Sequence, residues 1–330
     1  MTGSMPRLSI VIPAYNVEKY VKEAIDSVVR QTAPAYEIVI VDDGSTDRTG
    51  QMVEDLYGHL GNVRIIHTAN QGLGMARNVG AAAATGDFIY YFDSDDVLDQ
   101  SFFQKFYDVY AKHPGLDLFC FSARSFFDEP SKSNGFALNR YRRGVTVFLD
   151  SGEEALNFLI NRGGYFAPSW LYIYRRSIAV DNNIHFLPIL HEDEEHTPRL
   201  FLKSGSVYVC DDEFFFRRVR ANSIMTSRKS ERHINGYFRA LRTIQGLLQS
   251  DGWRPETYRS LRRLKTRIFV NAALAYRTNE IEVADPELKR FPTMIRRHAV
   301  TNGRLFLLTY LFPAYKAARS AKRMITRFRG

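Results

Sequence analysis

Two cysteines in 330 residues are too few for a disulfide framework, and Cys120 and Cys210 each stand in an apolar, strand-like run, as buried thiols do. The apolar run at 305–312 is far shorter than the about 20 residues that cross a bilayer. An N-terminal apolar stretch of the secretory kind is missing, so the cytoplasm is the expected compartment. No G-x-G-x-x-G follows the first strand-like run and no G-x-x-x-x-G-K-[ST] occurs anywhere, which excludes the usual dinucleotide site and the P-loop. There are no repeats, low-complexity runs or metal-spaced Cys/His sets. Basic residues are not interleaved with aromatics in the manner of a nucleic-acid surface, so no nucleic-acid partner is expected.

What is present is ordinary globular composition, 45% hydrophobic, enough for one large domain and an appendage. The net charge of +9 is concentrated late: Lys316, Arg319, Lys322, Arg323, Arg327 and Arg329 follow the apolar run with no acid among them. Residues 303–330 therefore read either as an interfacial membrane contact or as a helix docked on the core with a basic outer face. Met1 to Ser4 precede a second start, Met5, and carry no pattern.

The first third alternates strands and helices. Leu8-Ser9-Ile10-Val11-Ile12-Pro13 reads as a strand stopped by proline, and 18–31 as a helix with Val21, Ile25, Val28 and Val29 on one face. A second strand, 37–41, ends in Asp42-Asp43-Gly44-Ser45 before a helix begun at Thr46. A third, 63–67, leads through Asn70-Gln71-Gly72-Leu73-Gly74 into an alanine-rich helix, 75–84. The fourth, 88–92, runs straight into Asp93-Ser94-Asp95-Asp96. Such alternation implies a parallel sheet whose strand ends converge on one crevice, where ligands of open α/β sheets bind.

Three carboxylates closing a buried strand are not a structural necessity, because like charges repel and resist desolvation. They suit a cation. In place of glycines, the first turn offers Pro13-Ala14-Tyr15-Asn16, an aromatic face and an amide fit for a base and ribose. Diphosphate charge then falls to a metal on Asp95 and to cations such as Arg77. Arg77 alone would read equally as a surface helix ion pair, and Tyr15 as core.

The motifs Ile10-Val11-Ile12-Pro13-Ala14-Tyr15-Asn16, Val41-Asp42-Asp43-Gly44-Ser45-Thr46-Asp47, Asn70-Gln71-Gly72 with Ala76-Arg77-Asn78-Val79-Gly80, and Asp93-Ser94-Asp95-Asp96 together resemble those of the family 2 glycosyltransferases. The resemblance implies an α/β GT-A fold, Rossmann-like, with a mostly parallel central sheet flanked by helices. It also implies a UDP-sugar donor, Mn²⁺ or Mg²⁺, and transfer with inversion to a saccharide or lipid-linked saccharide in bacterial surface-polysaccharide assembly. Pro13, Ala14, Tyr15, Asn16, Asp42, Asp43 and Gly72 then belong to the nucleotide site, one aspartate accepting from the N3–H of uracil. Arg77 lies near the sugar diphosphate. Asp93 is the first acid of D-x-D, near ribose and sugar, and Ser94 stands between it and Asp95, the direct metal ligand. Asp96 is open between touching the sugar and capping the next helix.

Further on, 126–143 has no period and reads as a variable insertion. His191-Glu192-Asp193-Glu194-Glu195-His196 opens a helix to about Ser204, where acids suit the dipole. His191 and His196 are five apart, on different faces, so a zinc helix is rejected. The family keeps a base in a Glu-Asp pair beyond D-x-D. Glu192 and Asp193 match it, Asp193 as base and Glu192 as fallback. Two short strands, 207–210 and 213–217, lead to Arg220 and a spaced Ser223, in a segment where the family often has His at position 220. An arginine there could contact phosphate but not ligate metal.

The expected organisation is a glycosyltransferase domain over 5–225, with the donor half at 5–122 and the acceptor half at 123–225. A helical region over 226–330 follows, able to cover the acceptor site, form an oligomer or meet the inner face of the cell membrane. A sugar nucleotidyltransferase and, further off, a basic nucleic-acid-binding protein are the competing readings.

Overall fold

The computed structural model describes residues 5–128, 140–220, 228–299, 302–303 and 309–311. Residues 129–139 of the expected insertion, Ser223, most of the apolar run at 305–312 and every basic residue from Lys316 onward lie outside them. The chain divides into two compact units: Met1–Phe126 with Asn139–Pro188 and His196–Arg218, and Phe127–Leu138 with Ile189–Glu195 and Val219–Gly330.

The first unit is built on β1 (Leu8–Ala14), buried along its whole length. It runs parallel to β2 (Glu37–Asp42) on one side and β4 (Phe88–Tyr91) on the other, with Ile10 opposite both Ile38 and Tyr90. Burial on both faces is why these strands read as unbroken apolar runs. The strand continues through Pro13, contrary to the expected stop. Val11 accepts from the Phe92 N–H at 3.0 Å on the β4 side, and the ladder with β4 ends at Val11 and Tyr91. Pro13 faces that same side beyond its end, where its missing donor costs no ladder bond.

β3 (Val63–His67) joins β2 in parallel. The helices between are α1 (Val21–Val29), α2 (Thr49–Tyr57) and α3 (Leu73–Ala83). α1 begins three residues later than expected and α2 starts at Thr49 rather than Thr46; both intervening stretches are loops whose polar groups bond each other. α3 packs closely on the sheet at Gly80, where a β-carbon would fall 2.3 Å from a Val11 methyl.

Beyond β4 come β5 (Val97–Leu98), α4 (Phe102–Lys112), β6 (Leu118–Phe127), β7 (Val147–Leu149), α5 (Gly152–Arg162), β8 (Tyr172–Arg175), α6 (Arg176–Asp181), α7 (Glu192–Lys203) and β9 (Val207–Val219). Among the described residues one sheet runs β3-β2-β1-β4-β8-β6-β9-β5, with β7 on β9. Its first four strands are parallel. β8 enters antiparallel between β4 and β6.

β9 is one strand, not two. The acids expected to interrupt it are neutralised by neighbours: Asp211 accepts from the Gly144 N–H at 2.6 Å and the Ser122 hydroxyl at 3.2 Å, and Asp212 pairs with Lys105 at 2.9 Å. An aromatic core fills the space beneath, with Phe102 4.4 Å from Phe121 and Trp170 stacked at 4.2 Å on Phe215. Cys120 and Cys210 are buried free thiols, both pushed up to about 12 by burial and therefore unreactive.

The second unit is helical: α8 (Glu231–Gln249), α9 (Pro255–Asn279) and α10 (Phe291–Ala299). α8 turns Ile234, Ala240, Leu241 and Ile244 inward, and α9 does so with Leu261, Leu264, Ile268 and Ala272. Ser230 and His233 close a capping box that starts α8. No described helix is long and apolar enough to cross a membrane.

Candidate functional site

β4 delivers residues 93–96 to the C-terminal edge of the parallel strands, and the aromatic core fixes where it stops. Tyr91 bonds Tyr174 hydroxyl to hydroxyl at 2.9 Å, and Phe92 packs 5.8 Å from Phe215. The chain then turns sharply, with the Asp96 N–H donating to the Asp93 carbonyl at 3.2 Å. Asp96 points inward, only 4% exposed, and accepts from the Arg218 N–H at 2.6 Å. Burial first, and then the charges of Asp95 and Asp93, push its carboxyl well above the usual range.

Arg218 ties this turn down. Its Nε donates to the Asp95 carbonyl at 2.9 Å and its Nη2 to Glu23 at 2.5 Å, while its guanidinium lies 5.1 Å from the Tyr20 ring and 4.6 Å from that of Phe126. The open question over Asp96 is resolved in part: its carboxylate joins the turn to β9.

Asp93 accepts from Arg77 Nη2 at 2.8 Å. Arg77 is 1% exposed, which removes the surface-pair reading. Its guanidinium sits 5.3 Å over the Phe186 ring, which also stacks at 4.0 Å on His196. The Asn78 amide pins Phe186 by both backbone groups, donating to its carbonyl at 2.8 Å and accepting from its N–H at 2.9 Å. His196 is held neutral, far below its usual value, by burial and then by Arg199 and Arg77.

The acids after β2 have different surroundings. Asp43 takes the Gln71 N–H at 2.9 Å, the Gly72 N–H at 2.8 Å and the Thr68 hydroxyl at 3.2 Å. Asp42 takes the Ser45 N–H at 3.1 Å and faces His67 Nδ1 at 2.9 Å, whose Nε2 lies 3.0 Å from Glu54. Those contacts, Glu54 first, raise the His67 pKa. Gly72 has φ +93°, a conformation glycine adopts freely, and so starts α3 from the turn that Asp43 holds.

In the first loop Ala14 pairs with Asp42 in the ladder, and its carbonyl accepts from the Asp43 N–H at 2.9 Å. Tyr15 is 47% exposed rather than core. Asn16, at φ +51°, accepts through Oδ1 from the Thr46 N–H at 2.8 Å and donates through Nδ2 to the Thr46 hydroxyl at 3.2 Å, so its amide joins two loops. Pro13 is in the strand, and Ser94 is buried beside the acids.

Pro13, Ala14, Tyr15, Asn16, Asp42, Asp43 and Gly72 thus form one connected edge, and Arg77, Asp93, Ser94 and Asp95 gather at the end of β4 on the other side of β1. Glu192 and Asp193 stand in the first turn of α7, in the second unit, as does Arg220 just past β9. Residues missed by sequence reasoning are Arg218, His67, Asn78 and Phe186. Arg218 carried a signal, a charge at the end of an aromatic run, and Asn78 stood inside the Ala76–Gly80 motif without a role assigned to it.

A divalent cation suits this site chemically: Asp95 and Asp93 offer hard oxygen donors beside Asp96, whose carboxyl is raised by burial first and then by their charges. Among the described residues no group of three or more His, Cys, Asp or Glu is arranged to hold a metal ion by itself. Substrate oxygens and water would complete such a shell, the usual habit of magnesium.

Residues 9–180, just over half of the chain, match the family model described as glycosyl transferase family 2. The uncharacterized glycosyltransferase EpsJ of Bacillus subtilis (strain 168) is 30% identical over 222 residues, covering 67% of this chain and 63% of that protein. The poly(ribitol-phosphate) beta-N-acetylglucosaminyltransferase TarS of Staphylococcus aureus (strain Mu50 / ATCC 700699) is 30% identical over 236 residues, 68% of this chain but only 37% of that protein. The match therefore spans less than two-thirds of the length of both relatives. The crystal structure of S. aureus TarS 1-349 in complex with UDP-GlcNAc superposes with a TM-score of 0.70 at 22% identity, over 97% of this chain and 89% of that one. At that identity the likeness concerns the fold.

Proposed function

This chain belongs to glycosyl transferase family 2 and has the GT-A fold, and from that premise we propose that it moves a sugar from a UDP-sugar to a hydroxyl of a saccharide or lipid-linked saccharide. The transfer inverts the anomeric carbon and depends on Mn²⁺ or Mg²⁺. The observation that carries this reading is the end of β4, where Asp93, Asp95 and Asp96 crowd together beside a buried Arg77 at the sheet edge. UDP is favoured because the structure of the relative TarS is a complex with UDP-GlcNAc.

In this reading the exposed Tyr15 ring and the Asp42-Asp43 edge receive the base, and Asp93, steadied by Arg77, faces ribose and sugar. Asp95, with Asp93 beside it, would hold the cation, which when bound offsets the charge developing on the departing diphosphate. The acceptor oxygen bonds to the anomeric carbon as the bond to the diphosphate oxygen breaks, and Asp193 takes the hydroxyl proton. Glu192 is the fallback base, and Arg220 is a phosphate contact. Support for Asp193 comes from its place in the family's order of motifs. Residues 5–225 are proposed as the transferase domain, 226–330 as its helical companion. The basic tail is proposed to rest on the inner face of the cell membrane, which suits a lipid-linked acceptor.

Thermal-shift screening tests this. A UDP-sugar at a hundredfold its dissociation constant stabilises the fold by about 2.7 kcal/mol, and it is expected to do so more strongly with Mn²⁺. No shift from any UDP-sugar in either condition would sink the reading. Pyrophosphate release from a nucleoside triphosphate and a sugar phosphate would select the nucleotidyltransferase instead.

A further inference from the structure

The acidic first turn of α7 contains four carboxylates in a row, of which two, Glu194 and Glu195, are bonded to the helices α9 and α8. Glu194 accepts from Arg267 of α9 at 3.0 Å, and Glu195 from the Thr243 hydroxyl of α8 at 2.9 Å. The chain enters this turn through His191 at φ +62°, a left-handed conformation that costs a residue with a β-carbon about 1 kcal/mol or more. Such a conformation persists only when its surroundings over-determine it.

α8 supplies those surroundings from one face. The Tyr237 ring stacks on His191 at 3.9 Å and 14°, and His233 lies 5.5 Å away. Between them, Gly236 lets the helix backbone meet the chain, since a β-carbon there would fall 1.8 Å from the Leu190 carbonyl oxygen. Positions 233, 236 and 237 share a helix face, and 243 follows on the same side. Burial keeps His191 neutral, lowering its pKa to about 3, so the ring adds no cation to the turn.

We propose that α8 and α9 are the mount of the catalytic turn: Tyr237, Thr243 and Arg267 are positioning residues that fix 190–195 and thereby aim Asp193 at the acceptor hydroxyl. This rests on the reading of Asp193 as base. It gives the helical region a role in the reaction itself, in addition to any contact with acceptor or membrane.

The test uses the full chain and the slow hydrolysis of UDP-GlcNAc, in which water replaces the acceptor and UDP release is followed, with UDP affinity measured by calorimetry. Misaiming a base by about an ångström costs up to a hundredfold. Tyr237→Ala is accordingly expected to lower kcat at least about tenfold while KM and the UDP dissociation constant stay within about twofold. Tyr237→Phe keeps the stack and should retain clearly more kcat than Tyr237→Ala. Adding His191→Gly to Tyr237→Ala should restore most of the loss, because glycine holds the left-handed turn without the ring. Arg267→Gln should lower kcat with unchanged KM. If Asp193→Asn abolishes turnover while Tyr237→Ala and Arg267→Gln leave kcat at the parent level, the mount is refuted. If Asp193→Asn itself retains full turnover, the base reading fails first.

Discussion

Two acidic clusters flank β1, and they differ in what answers their charge. Asp42 and Asp43, after β2, are answered by backbone N–H groups of Ser45, Gln71 and Gly72, by Thr68 and by His67. After β4, Asp93 is answered by the buried Arg77 and Asp96 by the Arg218 backbone N–H of β9, while burial first and then the charges of Asp95 and Asp93 hold the Asp96 carboxyl well above its usual range. Carboxylates satisfied by amides hold loops in place. Carboxylates crowded together store a negative potential that a cation would relieve.

The comparison breaks first at Asp95. Asp95→Asn is expected to reduce sugar transfer by at least about a hundredfold, several kcal/mol of transition-state stabilisation, with the melting temperature nearly unchanged. Its neighbour should behave oppositely. In Asp96→Asn the side-chain oxygen can still accept from the Arg218 N–H, so steady-state assays should find transfer within about fivefold of the parent, since a shape-preserving change that keeps its hydrogen bond costs little. Equal losses in the two variants would erase the distinction drawn within the turn.

Asp43→Ala tests the other cluster, where stability should respond before donor chemistry does. It removes three hydrogen bonds that hold residues 68–72, and urea unfolding should register about 1–2 kcal/mol, because the freed N–H groups of Gln71 and Gly72 can reach water. The smallest effect concerns His67. Its pKa is raised in the folded chain, so its contribution to stability is complete below its unfolded value near 6.5 and is lost as pH rises through the folded one. The ring is half-exposed, which discounts the loss to well under about 1 kcal/mol. His67→Gln should flatten that part of the pH–stability curve, and an unchanged slope would remove His67 from the account of Asp42.

The parallel half of the fold was legible because its strands are unbroken apolar runs and its helices keep a single buried stripe. The acids of the candidate donor site stood out because each cluster closes an apolar strand, although Asp43 and Asp96 also serve to hold the 68–72 turn and β9 in place. Less could be read where meaning depends on partners distant in sequence. Nothing in Asp211 and Asp212 tells that a Gly144 N–H satisfies the one and Lys105 pairs with the other, letting β9 run on unbroken. Pro13 looks like a stop until β4 is seen to end first. Arg218 looks like one more cation in a basic segment, yet it clasps a turn more than a hundred residues earlier. Asn16 keeps its place in the motif, but its amide bonds the neighbouring loop.

The antiparallel insertion of β8 between β4 and β6 has a consequence for how the molecule is made. As the ribosome releases the chain from its N-terminus, β1, β2, β3 and β4 can pair as soon as they emerge. The outer side of β4 must wait for Tyr172 to Arg175, because its ladder joins Phe88 to Arg175 and Tyr90 to Ile173. At a synthesis rate of about 5–20 residues per second, that leaves an apolar strand edge uncovered for several seconds. Of the parallel strands that gain neighbours on both sides, β2, β1 and β4, the one that ends in the candidate metal ligands is therefore the last to be sealed, and nascent chains interrupted before Arg175 are the ones expected to aggregate.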